Sequence, residues 1–241
     1  MRGKHVSIRH HAFLSTITLL LALGLTPALA AQGTNLRFTL FGAGSFLKAD
    51  RTFPANGQTY HTEFASGGRA GVRVTLDITG HLSAEGSYAY GTNNFRLSHL
   101  NSVPPLVRGF GVRAQQFSGD ILYFLSGPGS RMRPFAAFGV GILRLSPTDA
   151  AKEAAVNEGF IAGPATLSSG NKFDFNYGFG VEERLHRYFG IRFSIRDYVI
   201  EVPRLGAPPG PGATGAGFFP VSGLSHDLEV SAGVVLYTSP R

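Results

Sequence analysis

The chain has 241 residues, with 32 Gly, 20 Phe, 14 Pro, no Cys and no Trp, and a formal net charge of +7. Without cysteine there is no disulfide framework, no thiolate metal site and no thiol to carry an N-terminal lipid. Three of the positive charges, Arg2, Lys4 and Arg9, precede an apolar run from Ala12 to about Leu25, and without them the balance is 19 Lys and Arg against 15 Asp and Glu, too small an excess to imply nucleic acid.

In chain order, that charged and apolar opening is followed by Pro27 and the small-residue sequence Ala28-Leu29-Ala30. This is the pattern of a secretory signal peptide cleaved after Ala30, giving residues 1–30 as a leader and 31–241 as one exported domain. Period-two alternation then dominates. In "RAGVRVTLD", Ala70, Val72, Val74 and Leu76 share one face and Arg69, Gly71, Arg73, Thr75 and Asp77 the other, because successive strand side chains point to opposite sides. "HLSAEGSYAY" and "FDFNYGFGVEERL" alternate in the same way. The pattern predicts eight strands at about 36–47, 67–77, 81–93, 108–124, 133–145, 172–184, 188–200 and 226–237. The fourth changes phase between Ala114 and Phe117, which predicts a β-bulge near Gln115 and Gln116.

The connections alternate long and short: 48–66, 78–80, 94–107, 125–132, 146–171, 185–187 and 201–225. Residues 206–217, "GAPPGPGATGAG", hold nothing from which to build a core, while 149–158, "DAAKEAAVNE", fits a short helix. Tight turns at one end and four large loops at the other fit an eight-stranded antiparallel up-and-down barrel with both termini on its short-turn side.

Alternation alone leaves open which face is inside. A soluble lipocalin-like carrier would place Phe and Val inward; a transmembrane barrel inverts this. The polar face is rich in Gly and Ser (Gly71, Ser83, Gly139, Gly141, Gly178, Gly180, Ser194, Ser231, Gly233), as a narrow filled interior requires. Its charges also fall opposite one another. Arg73 and Glu85 lie six residues either side of Thr79, and Glu182 and Arg192 five either side of Arg187. The predicted interior network is Arg73, Glu85, Asp120, Glu182, Arg192, Arg196 and Glu229, within a mixed set that also includes Arg69, Asp77, Asp174 and Asp227. Glu183 and Asp197 have apolar-face parity close enough to the strand ends to reach the membrane interfaces, and Tyr88, Tyr90, Tyr123 and Tyr237 are candidates for the aromatic girdles.

"RPFAAFGVGILRL" (133–145) and "NYGFGVEERL" (176–185) resemble the Gly-x-Gly strands of small Gram-negative outer-membrane barrels, the family of the OmpA transmembrane region and OmpX-like proteins. The resemblance covers the layout of the whole exported chain and implies residence in the bacterial outer membrane among phospholipid and lipopolysaccharide. It also implies insertion by the barrel-assembly machinery, although "SAGVVLYTSPR" runs four residues past the aromatic Tyr237.

The enzymatic signals are weak. Each Gly-x-Gly lacks a third glycine and lies within a strand, so none is a phosphate loop. Glu182 and Glu183 are sequence neighbours on a strand and point apart, the wrong geometry for a carboxylate pair. His81, Ser83 and Glu85 share a parity, with the His-x-Ser spacing of outer-membrane lipid A deacylases, but that parity faces the interior. No histidine set has metal-ligand spacing. The reading is a non-enzymatic monomer without cofactor, metal or nucleic-acid partner, with a mostly filled interior and a structural or adhesive role carried by long outer loops that bind an extracellular ligand of unknown kind. The alternatives are a narrow porin-like channel, a lipid-modifying enzyme and a soluble carrier.

Overall fold

The computed structural model describes residues 35–48, 50–55, 58–99, 106–157, 168–201, 205 and 223–239. The leader, the proposed cleavage point and the Pro/Gly segment 206–217 lie outside them. The strand segments are β1 (Leu36–Lys48), β2 (Asp50–Ala55), β3 (Gln58–Asp77), β4 (Leu82–His99), β5 (Leu106–Phe124), β6 (Met132–Pro147), β7 (Gly170–Arg184), β8 (Phe189–Glu201) and β9 (Leu224–Tyr237), with one helix, α1 (Asp149–Asn157).

Each strand from β3 to β9 pairs antiparallel with the next, and β1 pairs with both β9 and β3. The sheet therefore closes on itself. β2 pairs with β3 beyond the point where β1 leaves it, so it continues the line of β1 and the wall has eight strands. Closure leaves the spanning wall no edge with unpaired backbone groups, the condition for crossing hydrocarbon with strands. No helix among the described residues is long and apolar enough to cross a membrane.

The short turns fall at 78–81, 125–131 and 185–188, close to their predicted places. Thr79 organises the first: its hydroxyl accepts from the backbone N–H of Leu82 at 2.9 Å. At the other end the strands run well past their predicted limits. Much of the predicted loop 48–66 is the β2–β3 hairpin, and most of 94–107 is the continuation of β4 and β5. Strands β3, β4 and β5 have 20, 18 and 19 residues, whereas about 9–11 tilted residues cross a bilayer core. The surplus stands beyond the membrane. Helix α1 follows β6 as expected and is capped by Thr148, whose hydroxyl accepts from the N–H of Ala151 at 3.2 Å.

The predicted bulge at Gln115–Gln116 is absent. β5 keeps an unbroken register with both neighbours through these residues. The irregularity lies in β3, between Ala65 and Gly68. Val112 and Ala114 face inward with Gln116, Ser118 and Asp120. The phase of the strand is constant; the chemistry of the interior is what changes along it.

Candidate functional site: a charge-filled lumen

The arrangement is membrane-inverted. Phe173, Phe179, Phe193, Phe138 and Leu40 are each more than half exposed, while Arg37, Arg73, Arg192, Arg196, Glu182 and Glu229 are almost completely buried. The glycines report the same inversion. A Cβ on inward-facing Gly141 would lie 2.7 Å from Asp174 Oδ2, and one on Gly71 2.8 Å from the Phe41 ring; outward-facing Gly42, Gly86 and Gly119 have nothing within 4 Å. Inside, glycine is required by volume, since protein interiors have no slack for an added methyl.

The sequence matches the outer membrane protein beta-barrel domain family over residues 16–218. This chain belongs to that family. The barrel therefore resides in the bacterial outer membrane. Among solved structures it is similar to the N-terminal barrel of Pseudomonas aeruginosa OprF (11% identity, 83% of this chain, 97% of that one, TM-score 0.42). Neisserial surface protein A is similar at 12% identity over 85% and 96% of the two chains, TM-score 0.47. So is the attachment invasion locus protein Ail of Yersinia pestis, solved with the heparin analogue sucrose octasulfate (12%, 84% and 99%, TM-score 0.45). No curated protein sequence matches the chain.

Within this outer-membrane barrel the lumen has three layers. At mid-height Glu85 accepts from Arg192 Nη1, Arg196 Nη2 and the Thr75 hydroxyl, each at 2.6 Å, with Arg73 Nε 3.9 Å away. Arg196 also donates to Asp120 at 2.6 Å, and Asp120 accepts from the Asn176 amide at 2.8 Å. Arg73 donates to Glu229 at 2.8 Å and to the Ser231 hydroxyl at 3.1 Å. Asp174 lies level with Ser118 and Gly141 on the neighbouring walls, and Arg69 is ion-paired with Asp227.

Toward the short turns, Arg37 bridges Asp77 at 2.6 Å and Glu182 at 2.8 Å, and the Tyr237 hydroxyl donates to Glu182 at 3.1 Å. Between these groups and mid-height, Phe124 and Phe135 pack with Leu122 and Ala137, and the Arg133 and Arg192 guanidiniums lie 3.9 and 4.3 Å from the Phe124 and Phe135 ring centres. Toward the long loops the interior turns apolar, with Phe64, Val112, Leu143, Leu145 and Ile200 buried and Ala151 of α1 beside them.

All seven predicted network residues are inward and buried, but the predicted pairings hold only in part, with Arg73 and Glu85 in a long ion pair at 3.9 Å. Glu182 and Arg192 are level across β7 and β8, yet Glu182 binds Arg37 and Arg192 binds Glu85. Arg73 is level with Ser87, not Glu85, and its short bonds go to Glu229 and Ser231. A narrow lumen brings distant strands within side-chain reach, so long arginines satisfy carboxylates across the axis rather than along the wall. Arg37 was missed, although it shares parity with Thr39 and Ser45 while Phe38 and Leu40 take the other face. Arg133, under the aromatic layer, was missed as well.

Tyr237 is no girdle residue; it faces inward, whereas Tyr123 and Tyr90 are on the outer wall. Glu183 sits at the short-turn end, 3.0 Å from Arg131. Asp197 on the outer wall accepts from the Tyr177 hydroxyl and from His226 Nδ1, both at 2.7 Å. His81 does not join Ser83 and Glu85: it is exposed and bonds the Phe124 carbonyl at 2.7 Å, while the Ser83 hydroxyl donates to Asp77. No cluster of three or more metal-ligating side chains occurs among the described residues.

Proposed function

We propose that the mature protein, released from its leader after Ala30 and inserted by the barrel-assembly machinery, is a monomeric, non-enzymatic barrel. Its working surface is the projecting β2–β3 and β4–β5 hairpins and α1, turned to the cell exterior in a structural or adhesive role. The observation that carries this reading is the filled lumen. A pore needs a continuous wet path, and here the mid-height ion pairs lie between a Phe124/Phe135 layer and an apolar layer around Val112 and Leu143. Eight strands leave an interior wide enough only for side chains.

The chemistry of this interior also disfavours catalysis, because the carboxylates of Asp77, Glu85, Asp120, Glu182, Asp227 and Glu229 are engaged by guanidiniums and hydroxyls and a lipid cannot reach the lumen through the wall. Planar-bilayer recording tests the reading. The expected result is no conductance above leak. Steady, protein-dependent conductance that disappears when the barrel is heat-denatured would replace it with the channel. An epitope inserted in 206–217 tests orientation in intact cells: antibody labelling without permeabilisation is expected, and labelling only after permeabilisation would reverse it.

A further inference from the structure

The outer wall changes character abruptly on β5, β6 and β7. Phe117, Ile142 and Phe173 form one outward row across these strands, and one step toward the long loops Gln115, Arg144 and Asn171 form the next. Arg113 lies one outward position beyond Gln115, level with Ser146. Arg113 and Arg144 are thus diagonal neighbours on adjacent strands, at about 7–8 Å, within joint reach of one small group.

Among the described residues neither arginine is taken up by an acid. By contrast, exposed Arg131 and Arg96 pair with Glu183 and Glu63, Arg184 stacks on the Tyr237 ring, and outward Lys48 stands on β1, away from this pair. Asp149, at the start of α1, is exposed, engaged by Lys152 at 2.9 Å, and held below its usual range chiefly by that hydrogen bond, with Arg113 only a minor contributor.

We infer that Arg113 and Arg144, with the Gln115 and Asn171 amides, bind the phosphate of a lipid headgroup in the leaflet on the long-loop side. Two guanidinium forks and two amides, on a wall whose next row is hydrocarbon-facing, match a phosphate whose acyl chains lie against Phe117, Ile142 and Phe173. Arginine suits this role because its planar fork bonds phosphate oxygens in pairs and is weakly hydrated. Basic side chains at a membrane boundary recognise anionic headgroups by the same forces. The inference rests on the barrel and its lipid-facing wall, not on an adhesive role for the hairpins.

The test is native mass spectrometry of the intact barrel released from phosphatidylcholine nanodiscs doped with diphosphoryl lipid A, with fold verified by the heat-shifted gel band. The wild type should retain lipid A in preference to phosphatidylcholine. R113Q/R144Q should lower that retention about tenfold or more, the scale of losing charge-assisted bidentate bonds, and R113K/R144K should fall between. K48Q, across the barrel on β1, should match the wild type. Millimolar inorganic phosphate should not displace the lipid. Undiminished retention by R113Q/R144Q overturns the site; displacement by inorganic phosphate overturns the lipid and leaves a soluble-anion site. If R113Q/R144Q gives no folded band, the lysine variant decides, and wild-type retention there overturns the proposal.

Discussion

Removing the Glu85 carboxylate, by Glu85→Gln, is the sharpest perturbation of the lumen. Two charge-assisted bonds of 2.6 Å, from Arg192 and Arg196, converge on it, with Arg73 at 3.9 Å. Asp120 still engages Arg196 and Glu229 still engages Arg73, but Arg192 has no second carboxylate within ion-pair distance among the described residues. Breaking a buried pair from one side costs about 3–5 kcal/mol, because the remaining charge stays desolvated. The retained Thr75 hydroxyl and an amide oxygen in place of the carboxylate put Gln nearer the lower figure, about 3 kcal/mol. Reversible urea unfolding in phospholipid vesicles, followed by tyrosine fluorescence and gel shift, measures it. A loss below about 1 kcal/mol would refute the claim that these guanidiniums are dry and depend on Glu85; it would mean that water enters and the lumen is open.

Other substitutions separate the two faces of the wall. Gly141→Val should abolish or strongly impair folding, since its Cβ alone would lie 2.7 Å from Asp174, whereas Gly119→Val on the open outer face should fold normally; the gel shift reads both. Phe193→Arg places a charge on the lipid face well away from the strand ends and should cost about 2–4 kcal/mol in the same vesicle assay. Leu143→Ala, in the apolar layer, should cost about 2–5 kcal/mol by leaving a cavity; a neutral result would show that this layer is already hydrated.

What the sequence made legible was the part of each strand with different solvents on its two sides. In β7, lipid against Phe173 to Phe179 and a packed lumen against Asp174 to Gly180 impose a strict alternation, and the strand is plain. Where a strand runs on past the bilayer, no such contrast imposes alternation on the sequence. Asp50–Ala55 and Gln58–Glu63 therefore read as loop, yet the hydrogen-bond ladder continues through them. The apparent change of phase in β5 has a related origin: Val112 and Ala114 are apolar yet share the inward parity of Gln116 and Ser118, because they line an apolar part of the lumen. The network's membership followed from parity. Its strongest pairings did not, because cross-lumen neighbours such as Glu85 and Arg192 are 107 residues apart and parity says nothing of which walls approach across the axis.

The central claim is that one parity faces lipid and the other a closed lumen, and the absence of native cysteine allows a direct measurement of it. Single cysteines at Ala84, Ala136 and Ala232 on the outer face and at Ser118, Ser194 and Ser231 on the inner face replace small residues with little change in volume. Labelled with a nitroxide in the outer membrane or in vesicles, the first set should relax strongly with dissolved oxygen, which concentrates in hydrocarbon. The second set should resist labelling, or respond weakly to both oxygen and a water-soluble relaxant. Ready labelling of the serine positions with oxygen-insensitive alanine positions would contradict the account, as it would describe a soluble barrel with its apolar face turned inward.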